Sequence, residues 1–76
     1  MLTNSVGGYA ANVGDASNTS FAVTHNLGTR DVTVLIYDNA TYEQVYADVV
    51  ITSTTVITVS FAIAPASNAY RVVIKK

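Results

Sequence analysis

The chain has 76 residues and a net charge of −1, and this length supports a single domain. Its four basic residues, Arg30, Arg71, Lys75 and Lys76, form no continuous basic stripe, so nucleic acid is not an expected partner. No apolar run approaches the length of about 18 residues needed for a membrane helix, and the first residues lack the basic and apolar regions of a signal peptide. We therefore expect no membrane partner.

Residues 1–19 consist largely of Gly, Ala, Ser, Asn and Thr, and Tyr9 is their one aromatic side chain. Gly7-Gly8 and Gly14-Asp15 within them are turn signals. This composition predicts an N-terminal arm or edge segment over 1–19, either disordered or ordered against a neighbour. The folded domain is then expected over 20–76.

From Thr19 onward the side chains alternate with a period of two, which is typical of β-strands. Phe21, Val23 and His25 share one face of the first strand. The β-branched and aromatic run over 32–37 carries bulk on both faces and predicts a central strand. Further strands are predicted over 42–51 and 70–75.

The run over 57–63 is the most clearly amphipathic strand in the sequence. Its hydrophobic residues are expected on one face, namely Ile57, Val59, Phe61 and Ile63. About six short strands, short connections and no helical run predict an all-β fold, a small antiparallel β-sandwich or barrel.

Half of the residues are hydrophobic, whereas so short a chain has little interior in which to bury them. Small domains are usually stabilised by disulfides, a metal or oligomerisation. This chain has no cysteine and one histidine, so oligomerisation remains. We expect a homo-oligomer or an obligate complex.

His25 is the one side chain suited to acid–base chemistry near neutral pH. A catalytic triad would combine it with Ser20 or Thr24 and with Asp31, but nothing in the spacing indicates a nucleophile elbow or an oxyanion hole. A structural role is favoured, in which His25 ends a strand and holds the turn of Asn26 and Gly28 by a hydrogen bond. We therefore expect no enzymatic activity and no small-molecule substrate.

Four carboxylates are candidate calcium ligands, namely Asp31, Asp38, Glu43 and Asp48. They match no calcium-loop template, and an Asx turn at Asp38 is the favoured interpretation. We expect no metal and no cofactor.

Candidate contacts with a partner are Tyr9, Arg30, Tyr42 and Tyr46. Tyr42 and Tyr46 lie on the polar face of their predicted strand, where a tyrosine ring can pack while its hydroxyl stays hydrated. Arg30 stands beside Asp31 in a predicted turn, where it either pairs across subunits or lies in solvent.

The segment His25-Asn26-Leu27-Gly28-Thr29-Arg30-Asp31, within 21–32, resembles a small β-sandwich module of tailed-bacteriophage virion proteins. The other matching stretches are 34–38, 56–61, 64–65 and 70–73. The resemblance implies a non-enzymatic virion component, found in that family as capsid knobs or at the tips of tail fibres.

For a free-standing copy, the resemblance favours a capsid decoration, or cement, protein. Such a protein would be made in the host cytoplasm, would form a homotrimer and would bind the major capsid protein on the outer capsid surface. The alternative is a tail-fibre or tail-tip adhesion domain that binds a host surface receptor.

Overall fold

The computed structural model describes residues 7–76, which form seven β-strands and no helix, and hence no helix that could cross a membrane. The strands are β1 (Gly8–Val13), β2 (Ser20–Thr24), β3 (Thr33–Asp38), β4 (Gln44–Val45), β5 (Asp48–Val50), β6 (Val56–Ser60) and β7 (Tyr70–Lys75). They are arranged in two antiparallel sheets, which confirms the predicted all-β fold as a small sandwich.

The four-stranded sheet has the order β1-β7-β3-β4, and the three-stranded sheet has the order β2-β6-β5. Only Tyr46 and Ala47 separate β4 from β5, so this link carries the chain from one sheet to the other and closes one side of the sandwich. The edge strands at the other ends of the two sheets are β1 and β2. The predicted run over 42–51 is thus divided between both sheets.

The core is formed by alternate residues of the central strands, as the period of two predicts. Ile57 and Val59 of β6 and Val72 and Ile74 of β7 have no exposed surface. The remaining buried hydrophobic residues are Val13, Val23, Leu27 and Ile36. Their neighbours in each strand point outward, which leaves Arg71, Val73 and Lys75 on the outer face of β7.

The prediction that Ile63 shares the buried face of Ile57 and Val59 is wrong, because Ile63 is 82% exposed. Strand β6 ends at Ser60, and the backbone N–H of Phe61 makes the last bond of this ladder, to the carbonyl of Thr19. Beyond that point the backbone is not extended, so alternation no longer assigns a face. Ile63 lies at the surface in the connection that leads to Pro65.

Residues Gly8–Val13, assigned from sequence to the arm or edge segment, form the edge strand β1 and pair with β7 along their whole length. Val13 is part of the core. Residues 1–6, which belong to the same predicted segment, lie outside the described residues.

Candidate interaction surfaces

The turn after β2 is fixed by His25, which is 3% exposed. Its backbone N–H donates to the carbonyl of Thr55 at 2.8 Å, and its Nδ1 accepts a hydrogen bond from the N–H of Leu27 at 3.1 Å. Asn26 and Gly28 adopt positive φ angles of 55° and 74°, which these residue types tolerate better than most. The turn thereby inserts Leu27 into the core.

Because Nδ1 of His25 accepts a hydrogen bond, the neutral ring carries its proton on Nε2. Nε2 is buried and has no hydrogen-bond partner among residues 7–76. In the described structure the ring makes no hydrogen bond to Ser20, Thr24 or Asp31, and Ser20 instead pairs its hydroxyl with that of Ser60 at 3.2 Å. The observed role of His25 is to hold the turn.

The loop between β3 and β4 is organised by Asp38. Its Oδ1 accepts hydrogen bonds from the N–H groups of Ala40 at 2.7 Å and Thr41 at 3.2 Å, which is the predicted Asx turn. Over residues 7–76, no three His, Cys, Asp or Glu side chains are placed to hold a metal ion together. The carboxylate of Asp38 is therefore engaged by its own loop.

A second carboxylate-centred turn follows β1. Asp15 accepts hydrogen bonds from the backbone N–H groups of Asn18 at 2.7 Å and Ser17 at 2.9 Å, and from the side-chain amide of Asn18 at 2.6 Å. These donors stabilise the ionised carboxylate and lower the pKa of Asp15 below its ordinary value of 3.8. The charge of Asp15 thus belongs to the local structure of this turn.

Arg30 is exposed, and its guanidinium Nη2 donates to the carbonyl of Thr52 at 3.3 Å. The backbone N–H of the neighbouring Asp31 donates to the Thr29 hydroxyl at 3.0 Å. Arg30 therefore connects two loops of its own chain.

The three tyrosines proposed as partner contacts differ in exposure. Tyr46 is 86% exposed, Tyr42 is 76% exposed and Tyr9 is 39% exposed. The ring of Tyr42 lies 6.1 Å from that of Tyr37 between centroids, whereas Tyr46 lies in the link between the sheets. An exposed ring on a fixed backbone loses little conformational entropy when it packs against a partner.

Beside Tyr46 lies an open hollow whose opposite wall is formed by Ser60, Phe61 and Ala62. Ile63, which follows directly in the chain, is among the most exposed large apolar side chains. We call this surface the Tyr46–Ile63 patch and define it by the residues Tyr46, Ala47, Phe61, Ala62 and Ile63. The sequence predicts Tyr46 as a contact residue but not Ile63, because regular alternation assigns Ile63 to the core.

The patch has a rigid base. The ring of Phe61 stacks on that of Tyr70, with centroids 5.0 Å apart and planes inclined by 15°, and it meets Phe21 edge to face at 6.1 Å. Aromatic pairs in these arrangements add to the stability that burial alone provides. The half-buried aromatic row therefore holds one wall of the patch in place.

Comparison of the chain with protein-family models, curated proteins and solved structures gives no match.

Proposed function

We propose that this chain is a non-enzymatic structural protein of a bacteriophage virion, a capsid decoration protein that self-associates and binds the major capsid lattice. The Tyr46–Ile63 patch carries this proposal. Two of its side chains, Tyr46 and Ile63, are more than four-fifths exposed in a domain with few core residues. Large apolar side chains grouped at the surface are characteristic of interaction sites.

The patch suits a protein partner better than a small ligand. Its hollow is open to solvent and is lined by Tyr46, Phe61 and two alanines together with Asp48 and Ser60. Aromatic side chains mixed with polar groups are common at protein–protein interfaces. Small-molecule sites, in contrast, enclose most of the surface of their ligand.

The proposed mechanism is linkage. A protein that binds the assembled capsid lattice, and not free capsid subunits, stabilises the lattice by the free energy of that binding. Each copy contributes a weak contact, and oligomerisation increases the avidity. The phage family that the sequence resembles implies three copies around a local three-fold axis.

The alternative is an adhesion domain at the tip of a tail or fibre. Exposed tyrosine rings are also suited to packing against a host saccharide or receptor protein, and Tyr42 and Tyr46 provide two of them on the β4 side of the molecule. The two proposals differ in location and copy number, not in the residues that make contact.

Counting and locating the chain on purified virions tests both proposals. A decoration protein is expected at on the order of hundreds of copies spread over the shell, as multivalent attachment requires. A small number of copies confined to the tail would replace decoration by adhesion, and virions without the chain would contradict both.

Rebinding of purified protein to capsids stripped of it tests the patch. Ile63→Ala is expected to lower the binding affinity by about 10-fold, as the loss of one packed aliphatic side chain does at an interface. The matched control is Val50→Ala, which shortens a side chain that is 61% exposed in β5 and lies outside the patch. Equal affinities for the two variants would remove the patch from the contact surface.

A further inference from the structure

The two sides of the sandwich differ in how their strand edges are protected. On the closed side, β4 and β5 contain two and three residues, Glu43 precedes β4, and β5 begins with Asp48. Short strands and charged side chains are the usual protection against pairing with another chain. On the open side, β1 has six residues and β2 has five, and neither strand contains a charged residue or a proline.

The direction of the backbone groups in β1 follows from two hydrogen bonds. The N–H of Lys76 donates to the carbonyl of Gly7 at 2.8 Å, so these two residues form a hydrogen-bonded pair. Hydrogen-bonded and non-hydrogen-bonded pairs alternate along an antiparallel ladder. Every second residue of β1, counted from Gly7, therefore bonds to β7. The N–H of Asn39 donates to the carbonyl of Ala69 at 2.9 Å, so the residues of β7 that bond to β3 alternate with those that bond to β1. The two bonds thus give the same assignment of directions. The backbone groups of Gly8, Ala10 and Asn12 therefore point away from β7.

These outward groups form a regular row of donors and acceptors. Among residues 7–76, β7 is the one strand neighbour of β1, and no other backbone hydrogen bond engages Gly8, Ala10 or Asn12. The spacing of two residues between donors is the spacing that a further antiparallel strand requires. The side chains at these positions are small, so an incoming backbone meets little steric obstruction.

We propose that β1 pairs antiparallel with β1 of a second copy of this chain, across a two-fold axis at Ala10. In this register Ala10 faces Ala10 of the second copy, and Gly8 of each copy faces Asn12 of the other. About six hydrogen bonds form across these three pairs, at two bonds per pair. The two four-stranded sheets then join into one continuous sheet.

A second copy fits this edge for reasons of charge and length. Any charge on β1 would face a like charge near the two-fold axis, and residues 7–14 contain none. The partner strand is β1 of the second copy, so both paired strands have six residues. On the outer face, the apolar row of Ala10, Val73 and Leu35 continues into the same row of the second copy, since paired residues share a face.

The inner face gains a contact as well. In the proposed register Tyr9 faces Ala11 of the second copy, so its ring, 39% exposed in the single chain, covers a small side chain of its partner. The other open edge, β2, has five residues against six in β1, and its outward positions include the branched Thr24. β1 is therefore the better-suited edge.

This inference rests on the self-association proposed above and names the surface that produces it. A two-fold contact joins copies in pairs, so it produces a dimer, or six chains if a separate three-fold contact is also present. It does not produce three chains alone. The number of chains in solution therefore distinguishes β1 pairing from a simple trimer.

Light scattering during size-exclusion chromatography at micromolar concentration measures that number. We expect the wild-type mass to be an even multiple of the chain mass of 8.0 kDa. Ala10→Pro should halve this mass with an unchanged far-ultraviolet circular dichroism spectrum, because the N–H it removes makes no hydrogen bond within residues 7–76. Ala22→Pro is the matched control, since position 22 has the same outward phase in β2, and its mass should stay that of the wild type.

Charge variants keep the test decisive if a proline disturbs the strand. Ala10→Lys and Ala10→Asp should each have half the wild-type mass, because like charges then meet at the axis. An equimolar mixture of the two should recover the wild-type mass, since opposite charges meet in the mixed pair. Only a contact in which position 10 meets itself predicts this combination.

Amide hydrogen exchange provides a readout for single residues. The N–H groups of Ala10 and Asn12 should exchange at least about 10-fold more slowly in wild type than in Ala10→Lys, since only a partner strand protects them. An odd number of chains, or charge variants that keep the wild-type mass, would overturn β1 pairing and leave self-association standing. A wild-type monomer would overturn both.

Discussion

Nδ1 of His25 accepts a hydrogen bond from the backbone N–H of Leu27 at a distance of 3.1 Å, and both residues are buried. The ring thus satisfies an N–H that the core would otherwise leave without a partner. A buried donor without a partner costs about 1–3 kcal/mol.

His25→Leu removes this acceptor and is expected to lower the free energy of unfolding by about 2 kcal/mol. His25→Asn is the matched control, because Oδ1 of asparagine lies at the same branch of the side chain as Nδ1 and accepts from the N–H two residues ahead. Urea unfolding measures both variants. Equal losses for the two would mean that ring volume, rather than the hydrogen bond, fixes the turn.

Shortening two isoleucines of the same segment should reduce stability to very different extents. Ile57→Ala is expected to lower the free energy of unfolding by about 2–5 kcal/mol, because this side chain has no exposed surface. Ile63→Ala should change it by less than about 0.5 kcal/mol. Chemical denaturation of the two variants tests this. A large loss of unfolding free energy for Ile63→Ala would mean that Ile63 is packed in the core.

Two glycines with positive φ should tolerate a methyl group to different extents. At Gly14, with φ of 121°, an added Cβ would lie 2.2 Å from the carbonyl oxygen of Ala66, so the backbone would have to move. At Gly28, with φ of 74°, it would meet nothing within 4 Å. Gly28→Ala should cost about 1 kcal/mol from strain alone, and Gly14→Ala clearly more.

Thermal unfolding of the two alanine variants, each compared with wild type, measures this difference. A Gly28→Ala variant as unstable as Gly14→Ala would show that conformational strain, and not the close approach of Ala66, determines the cost.

Asp15 should make stability depend on pH in the acid range. Its pKa is lowered in the folded chain by the N–H donors of Asn18 and Ser17. A lowered pKa stabilises the folded state above the ordinary value of 3.8, and this contribution is lost as the pH falls through the lower folded value. Asp15→Asn should therefore be less stable than wild type at neutral pH.

The difference in stability between wild type and Asp15→Asn should become smaller in strong acid, where the wild-type carboxyl is protonated and, like the asparagine amide, uncharged. Urea midpoints of the two proteins at neutral pH and at about pH 2 measure this. The same difference at both pH values would mean that the charge of Asp15 contributes nothing to the turn.

The exposed tyrosines should affect binding without affecting stability. Tyr42→Ala and Tyr46→Ala are expected to weaken attachment to the particle and to change the free energy of unfolding by less than about 0.5 kcal/mol. Tyr70→Ala is the contrasting variant, because its ring stacks on Phe61, and it should unfold more easily. Unchanged attachment of both exposed variants would remove these two tyrosines from the contact list.

Alternation of side chains was sufficient to predict most of the strands and the buried faces of β2 and β7. Val23 and His25 are buried while Thr24 is exposed, and Val72 and Ile74 are buried while Lys75 is exposed. The pattern is reliable here because each of these strands presents one face to the core and one to solvent. Tyr42 and Tyr46 are exposed, but the prediction that they lie in a strand is wrong. Tyr42 precedes β4 with a positive φ of 63°, and Tyr46 lies in the link between β4 and β5.

The parts that sequence did not predict depend on contacts distant in the chain. β1 is a strand because β7 pairs with it, whereas four of its six residues, a glycine, two alanines and an asparagine, are of types depleted in strands. The crossing between sheets at Tyr46 and Ala47 interrupts a run that looks continuous. The surface position of Ile63 follows from where β6 ends, and no local signal marks that point.

The bond between the Gly7 carbonyl and the Lys76 N–H places the two ends of the described chain one strand spacing apart. A short flexible linker would therefore join them, and the backbone could be cut instead at Ser67, an exposed residue between β6 and β7. Such a circular permutant of residues 7–76 would keep the described strand pairings, and its new ends would lie at the opposite end of β7. Fusion partners could then be attached at a location that the native order of the chain does not offer.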